Sequence, residues 1–216
     1  MYTLYSMHRG GNSYKARLAL AMLDIPYHLV NIDILRGESR TPTFLALNPS
    51  GQVPLLEVGP QHYIAESNAI LWFLADGGPL VPTDPVSRAQ TLQWMFFEQH
   101  SLEPNIGSAY FWMVLVKGGR ELHAYSLEDW TEKGYRALQV MDNHLKHHAY
   151  FGIDCFNIAD IALYATAHLA GECEFDLSPF TNVRAWLKRV ERQPGFVTVD
   201  WRPEQPVPQH DATVRA

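Results

Sequence analysis

Asn48-Pro-Ser-Gly-Gln-Val-Pro-Leu-Leu-Glu57, continued by Ile64-Ala-Glu-Ser-Asn-Ala-Ile70, is the stretch that decides the fold of this chain. Asn48 and Pro49 must end any helix that reaches them, because proline gives no amide donor and pushes its predecessor out of helical backbone. Val53 to Leu56 and His62 to Ala65 are short β-prone runs on either side of Gly59 and Pro60, a turn signal tight enough for a hairpin. Glu66 and Ser67 then lead into Ile70, Leu71, Phe73 and Leu74, whose spacing is helical.

Upstream, Tyr2 to Tyr5 reads as a strand, and after a Gly-containing turn Ala16, Leu20 and Leu23 recur at helical spacing within Ser13 to Leu23. Tyr27 to Ile32 supplies a second strand. Thr41 before Pro42 is an N-cap with proline at the first helical position, opening a short helix through Leu47. The first half is therefore β-α-β-α-β-β-α.

Asp76 to Pro85 holds two Gly, three Pro and two Asp, a composition that breaks regular structure. The expected organisation is an α/β domain over residues 1–76, a linker over 77–85, an all-helical domain over 86–200 and an irregular tail over 201–216. Within the helical half, Val86 to about Val116 reads as one long helix bent at Pro104. Ser126 with Asp129, and Asn157 with Asp160, read as capping pairs before helices. Val183, Trp186, Leu187 and Val190 mark a last amphipathic helix that Pro194 and Gly195 stop.

The 216 residues suffice for two compact domains, and a net charge of −6 without basic runs argues against nucleic acid as partner. No apolar stretch approaches the roughly 20 residues that span a bilayer, and the start lacks the order of a signal peptide, so a cytoplasmic home is expected. The two cysteines, Cys155 and Cys173, are too far apart for a redox pair and too few for a disulfide framework. They read as reduced structural thiols. His144, His147 and His148 read as a solvated helix face; no metal is expected.

The opening segment, with Val53-Pro54 followed by Glu66-Ser67, resembles the cytosolic glutathione transferase family, including its bacterial members. The resemblance runs from about Tyr2 to Phe196. It implies a thioredoxin-like domain followed by a helical bundle, glutathione as co-substrate, and a homodimer. It implies a cis Pro54, which turns the backbone of Val53 toward the cysteinyl part of glutathione, and Glu66 and Ser67 as holders of the γ-glutamyl amine and carboxylate. Physics supports the last pair independently, since a helix N-terminus offers free N–H groups to a carboxylate and a neighbouring Glu complements an ammonium. Arg40 and Gln52 are candidates for the glycyl end, an arginine fork being suited to a carboxylate.

Catalysis in such a protein needs a donor aimed at the glutathione sulfur, because the thiolate is the nucleophile and a free thiol has pKa about 8.5. Lowering that by two units takes about 2.7 kcal/mol, within reach of one hydrogen bond plus a helix N-terminus. Asn12 and Ser13, in Asn12-Ser-Tyr-Lys-Ala-Arg17, resemble the sulfur-contacting stretch of bacterial relatives; the alternative is that they only cap the first helix. The chain departs from that pattern at Gly10, where those relatives often carry Ser or Thr. Tyr5 could stand in for the catalytic Tyr of other classes, and the Cys of the beta and omega classes is absent. Asn105, Ser108, Tyr110, Phe111 and Trp112 are candidates for an electrophile pocket. The expected function is thiolate attack on a small apolar electrophile or a peroxide. Gly10 keeps open a non-catalytic glutathione-binding or protein-interaction member of the fold.

Overall fold

The computed structural model describes residues 1–152 and 155–203; the tail beyond 203 lies outside the described residues. The chain begins β1 (Tyr2–Ser6), α1 (Gly11–Met22), β2 (Tyr27–Asn31), two 3₁₀ turns (Ile34–Arg36 and Glu38–Arg40), α2 (Pro42–Leu47), β3 (Leu55–Gly59), β4 (His62–Ala65) and α3 (Ser67–Ala75). The strands form one sheet in the order β2-β1-β3-β4, with β1 and β2 parallel and the other pairs antiparallel. This is the β-α-β-α-β-β-α order expected from the sequence. Thr41 caps α2 as anticipated, its hydroxyl accepting the Phe44 N–H at 3.3 Å.

α1 is buried on every side from Ser13 to Leu20 because it lies between two cores. Ala16 and Leu20 pack with Leu4, Leu56 and Ile70 against the sheet. Tyr14, Leu18 and Ala19 join Leu71 and Ala75 of α3 in the larger core of the helical half.

The helical half starts at α4 (Pro85–Phe97), capped by Asp84, and the same rod continues through Leu115. Around Pro104 it is not a regular α-helix. Glu98–Gly107 and Phe111–Leu115 are π-helical, with α5 (Ser108–Tyr110) between them. Widened turns accommodate the amide that Pro104 lacks. Then follow α6 (Gly119–Leu122), α7 (Ala124–Leu145), α8 (Ile158–Ala167), a 3₁₀ turn (Ala170–Cys173) and α9 (Thr181–Val190).

Ser126 and Asp129 do not cap a helix, because α7 already begins at Ala124 and both lie inside it. The Asn157/Asp160 box is present, and its consequences reach far. The fully buried Asp160 carboxylate accepts from the N–H groups of Asn157 and Phe151, each at 3.0 Å, and from the Trp186 indole at 2.8 Å, tying α8 to α9. His144 is half-buried rather than solvated, its ring stacked on Phe151 and 4.7 Å from Trp94. The thiol of Cys173 is buried, which pushes its pKa up to about 12, while Cys155 is exposed.

Past α9 the chain returns to α1. The Tyr14 hydroxyl donates to the Val197 carbonyl at 2.6 Å, and Arg17 donates to the carbonyls of Val199 and Trp201 at 2.9 and 2.8 Å. Beside this return, His168 is largely buried with its ring stacked on Tyr164, and its Nδ1 hydrogen goes to the Tyr164 carbonyl. Burial depresses its pKa to about 4. An unfolded histidine binds its proton near pH 6.5, so stability is complete above that pH and falls as the pH drops toward about 4. In chemical denaturation at pH 7 and pH 4, the wild type should lose about 3 kcal/mol more than His168→Gln on going to the lower pH.

Candidate active site

One cleft of about 500 Å³ opens between the two halves. Its floor is the N-terminus of α1 with Asn12 and Ser13; Arg40, Gln52 and Val53 form one wall, and Ser108, Phe111 and Trp112 the opposite one. A narrow polar pocket of about 50 Å³ adjoins it, lined by Gln52, Val53, Pro54, Glu66 and Ser67 and sharing Asn12 and Gln99 with the cleft. The sequence-derived candidates thus converge, with two exceptions. Asn105 faces a separate groove beside His100 and Arg136, its amide bound to the Ser101 carbonyl at 2.7 Å. Tyr5 sends its hydroxyl to Glu57 at 3.3 Å and its ring against Phe44, so it does not line the cleft.

Val53–Pro54 is a cis peptide, as the resemblance implied. Val53 precedes β3, which begins at Leu55, so it stands outside the strand ladder. Glu66 occupies the N-cap position of α3 with φ +67°, a conformation that costs a non-glycine residue of the order of 1–3 kcal/mol. Its side chain caps nothing and is exposed. The first amides of α3 thus have no side-chain cap, at the helix end where Glu66 and Ser67 line the pocket.

Neither Asn12 nor Ser13 caps α1. Gly10 is the N-cap, without a side-chain bond. Ser13 accepts the Met7 N–H at 3.0 Å and keeps its own hydrogen to donate. A side chain at Gly10 would meet nothing nearer than Met7 at 3.4 Å, so packing does not demand glycine there. Arg40 folds over Gly51 and donates to the Ser50 carbonyl at 2.9 Å; Gly51, at φ +63°, has no room for a Cβ beneath that guanidinium.

Beneath the cleft lies a network that the sequence reading missed. Lys15 and Glu98, both fully buried, pair at 2.6 Å. Glu98 also accepts from Thr166, Gln99 and Asn68 at 2.9, 3.1 and 3.4 Å. Lys15 reaches Ser67 at 3.3 Å, and Ser67 donates to Asn12 Oδ1 at 3.2 Å. Asn12 Nδ2 in turn donates to Glu103 at 2.9 Å. Burial, reinforced by the Glu98 charge, raises the Glu103 pKa, and Lys15 and the Asn12 bond oppose that rise.

Gln99, Glu103, Gly107, Phe111 and Leu115 all line the cleft at four-residue spacing. In a regular α-helix such a row drifts about 40° per step, because four residues exceed the 3.6 of a turn. The π turns of Glu98–Gly107 and Phe111–Leu115 wind more slowly than that. That spacing was the available signal. Trp112, on the same rod, is held by stacking on His123, ring centroids 3.8 Å apart. Among the described residues, no three His, Cys, Asp or Glu side chains converge to hold a metal.

The family model described as "Glutathione S-transferase, N-terminal domain" matches residues 1–76, and its "C-terminal domain" counterpart matches residues 108–194. The chain belongs to the glutathione S-transferase family. A possible glutathione S-transferase from Rhodopseudomonas palustris is 67% identical, with a TM-score of 0.92 over 94% of this chain and 99% of that one. A glutathione transferase family member from Pseudomonas fluorescens Pf-5, with two glutathione bound, is 27% identical with a TM-score of 0.80, over 90% and 89% of the two chains. The disulfide-bond oxidoreductase YfcG of Escherichia coli is 26% identical over 191 residues, 85% of this chain and 87% of that protein.

The ion pair gives this transferase-family site its rigidity, and breaking one side of it leaves a charge buried alone. Lys15→Met should cost about 3–5 kcal/mol, and Lys15→Met combined with Glu98→Gln should recover more than half of that loss. Urea unfolding midpoints of the three proteins check the sign.

Proposed function

We propose that the chain is a glutathione transferase that binds glutathione along the narrow pocket and activates its thiol at the floor of the wide cleft. The observation that carries this reading is the convergence on one cleft of two helix N-termini, those of α1 and α3, with Asn12, Ser13, Val53 and Ser67 between them. Residues 1–76 hold the tripeptide and residues 86–200 supply the opposite wall. The γ-glutamyl carboxylate takes the Ser67 hydroxyl and the open amides of α3, and Glu66 takes the ammonium. The Val53 backbone pairs with the cysteinyl unit, and Arg40 and Gln52 receive the glycyl carboxylate.

The sulfur lies over the N-terminus of α1. Asn12 and Ser13 each offer a hydrogen there, and the helix end adds partial positive charge, so the thiolate is favoured over the thiol. Holding it against an apolar wall of Phe111, Trp112 and Leu115 supplies proximity to an electrophile or a peroxide. Two structures in complex with glutathione among the relatives, the Pseudomonas fluorescens protein above and Ure2p, support the choice of ligand.

Calorimetric titration, with the thiolate absorbance read in the same samples, tests the reading. We expect binding with a thiol pKa well below 8.5, and about tenfold weaker binding in Ser67→Ala through loss of one hydrogen bond to a charged group. Binding with an unshifted thiol would favour a non-catalytic glutathione-binding protein, consistent with Gly10. No binding at millimolar glutathione overturns the assignment of Val53, Glu66 and Ser67.

A homodimer belongs to the same proposal. Phe73 of α3 and Val86, Leu92 and Phe96 of α4 are exposed, Phe96 to 70%, an apolar face that a second copy would cover. Sedimentation should give twice the monomer mass, and Phe96→Asp should shift the protein toward monomer.

A further inference from the structure

Glu103 stands in the cleft on the π-helical segment Glu98–Gly107 and accepts a hydrogen bond from Asn12 Nδ2 at 2.9 Å. The orientation of that amide follows from a chain of donors. Lys15 has only hydrogens to give, so the Ser67 oxygen accepts from it at 3.3 Å and turns its own hydrogen to Asn12 Oδ1 at 3.2 Å. Gln99 donates to the same oxygen at 3.3 Å and keeps the amide in this orientation when a bound carboxylate takes the Ser67 hydrogen. The Asn12 NH₂ therefore faces the cleft, with one hydrogen on Glu103 and the other free for a ligand. A thiolate held by that second hydrogen has the Glu103 carboxyl as its neighbour through a single nitrogen.

Little else competes for Glu103. The Lys15 charge is spent on Glu98 at 2.6 Å. Tyr110, which also lines the cleft, accepts from Arg9 Nε at 3.0 Å, and Arg9 is paired with Glu172 and with Asp200. Among the described residues Glu103 forms no ion pair. Burial and the nearby Glu98 charge raise its pKa above the ordinary carboxyl value, against Lys15 and the Asn12 bond, which makes the carboxyl a better proton acceptor than a free one.

Resting on the glutathione reading above, we propose that Glu103 carries the thiol proton to an oxygen leaving group, which fits this cleft to epoxides. In the first step the S–H bond breaks, an O–H bond forms on Glu103, and the thiolate stays on Asn12. In the second, a sulfur electron pair forms an S–C bond at a ring carbon while the C–O bond breaks. The alkoxide takes the proton from Glu103, which returns to carboxylate. The proton lost by the thiol is the proton gained by the product. Displacement of chloride from an arene releases a weak base that needs no proton, so it gains nothing from this delivery.

The test compares styrene oxide with a chlorodinitrobenzene, in the wild type and in Glu103→Gln, which keeps an acceptor for Asn12 but carries no transferable proton. The epoxide-to-chloroarene ratio of kcat/KM should fall about 10²-fold in the variant and recover in part in Glu103→Asp. In the wild type, the epoxide rate should decline at alkaline pH as glutathione and Glu103 lose their one shared proton, while the chloroarene rate holds. An unchanged ratio, parallel alkaline profiles, or a wild type that binds glutathione and turns over neither substrate overturns the proposal. The wild-type pH comparison stands even where Glu103→Gln fails to fold. Loss of glutathione binding in the wild type would instead overturn the reading of the site itself.

Discussion

The buried ion pair between Lys15 and Glu98 is the constraint on which the rest of the structure depends. Two fully buried charges are tolerable only when paired and fully hydrogen-bonded, and here the pair joins α1 to the π-helical rod of the other half. Thr166 of α8, Gln99 and Asn68 of α3 complete the shell of Glu98, so three helices and the rod share one electrostatic centre. The relative placement of the two halves is thereby fixed just beneath the cleft they form. Side chains of the cleft inherit that rigidity, since Ser67 and Asn12 hang from the same network.

Polarity is sorted along the cleft by the same architecture. Helix N-termini collect at the floor and in the narrow pocket, where anionic groups are favoured. The far wall is the rod, which presents apolar Phe111, Trp112 and Leu115 near its end and the carboxyl of Glu103 nearer the network. Five of the lining residues, Gln99 to Leu115, recur at four-residue spacing along this largely π-helical segment. Backbone widened around Pro104 is thus part of how the wall is built, and π-helical turns often accompany functional sites.

Much of the fold was legible locally. Thr41-Pro42, Asn48-Pro49, the Gly59-Pro60 turn and the Asn157/Asp160 box act through their own backbone and near neighbours, and each marks an element boundary the structure contains. Ser126 and Asp129 misled because a capping pattern competes with helix already nucleated upstream at Ala124. His144 misled because its aromatic partners, Trp94 and Phe151, lie in other segments. Within the site, Asn12, Ser13, Val53 and Ser67 come together as their motifs suggested. Asn105 does not, since the winding of the rod turns it into another groove.

By itself, the sequence determined the order of strands and helices, the pair of halves, and the polar residues at the N-termini of α1 and α3. Short-range forces, namely capping, turn chemistry and apolar periodicity, set those features, and they are written in adjacent residues. Only the tertiary structure decided that the charged Lys15 and Arg17 lie buried against partners 83 to 184 positions away. Only it brought Glu103 to Asn12 across 91 positions. The cost of burying a charge depends on what meets it, and in this protein what meets it comes from the other half of the chain.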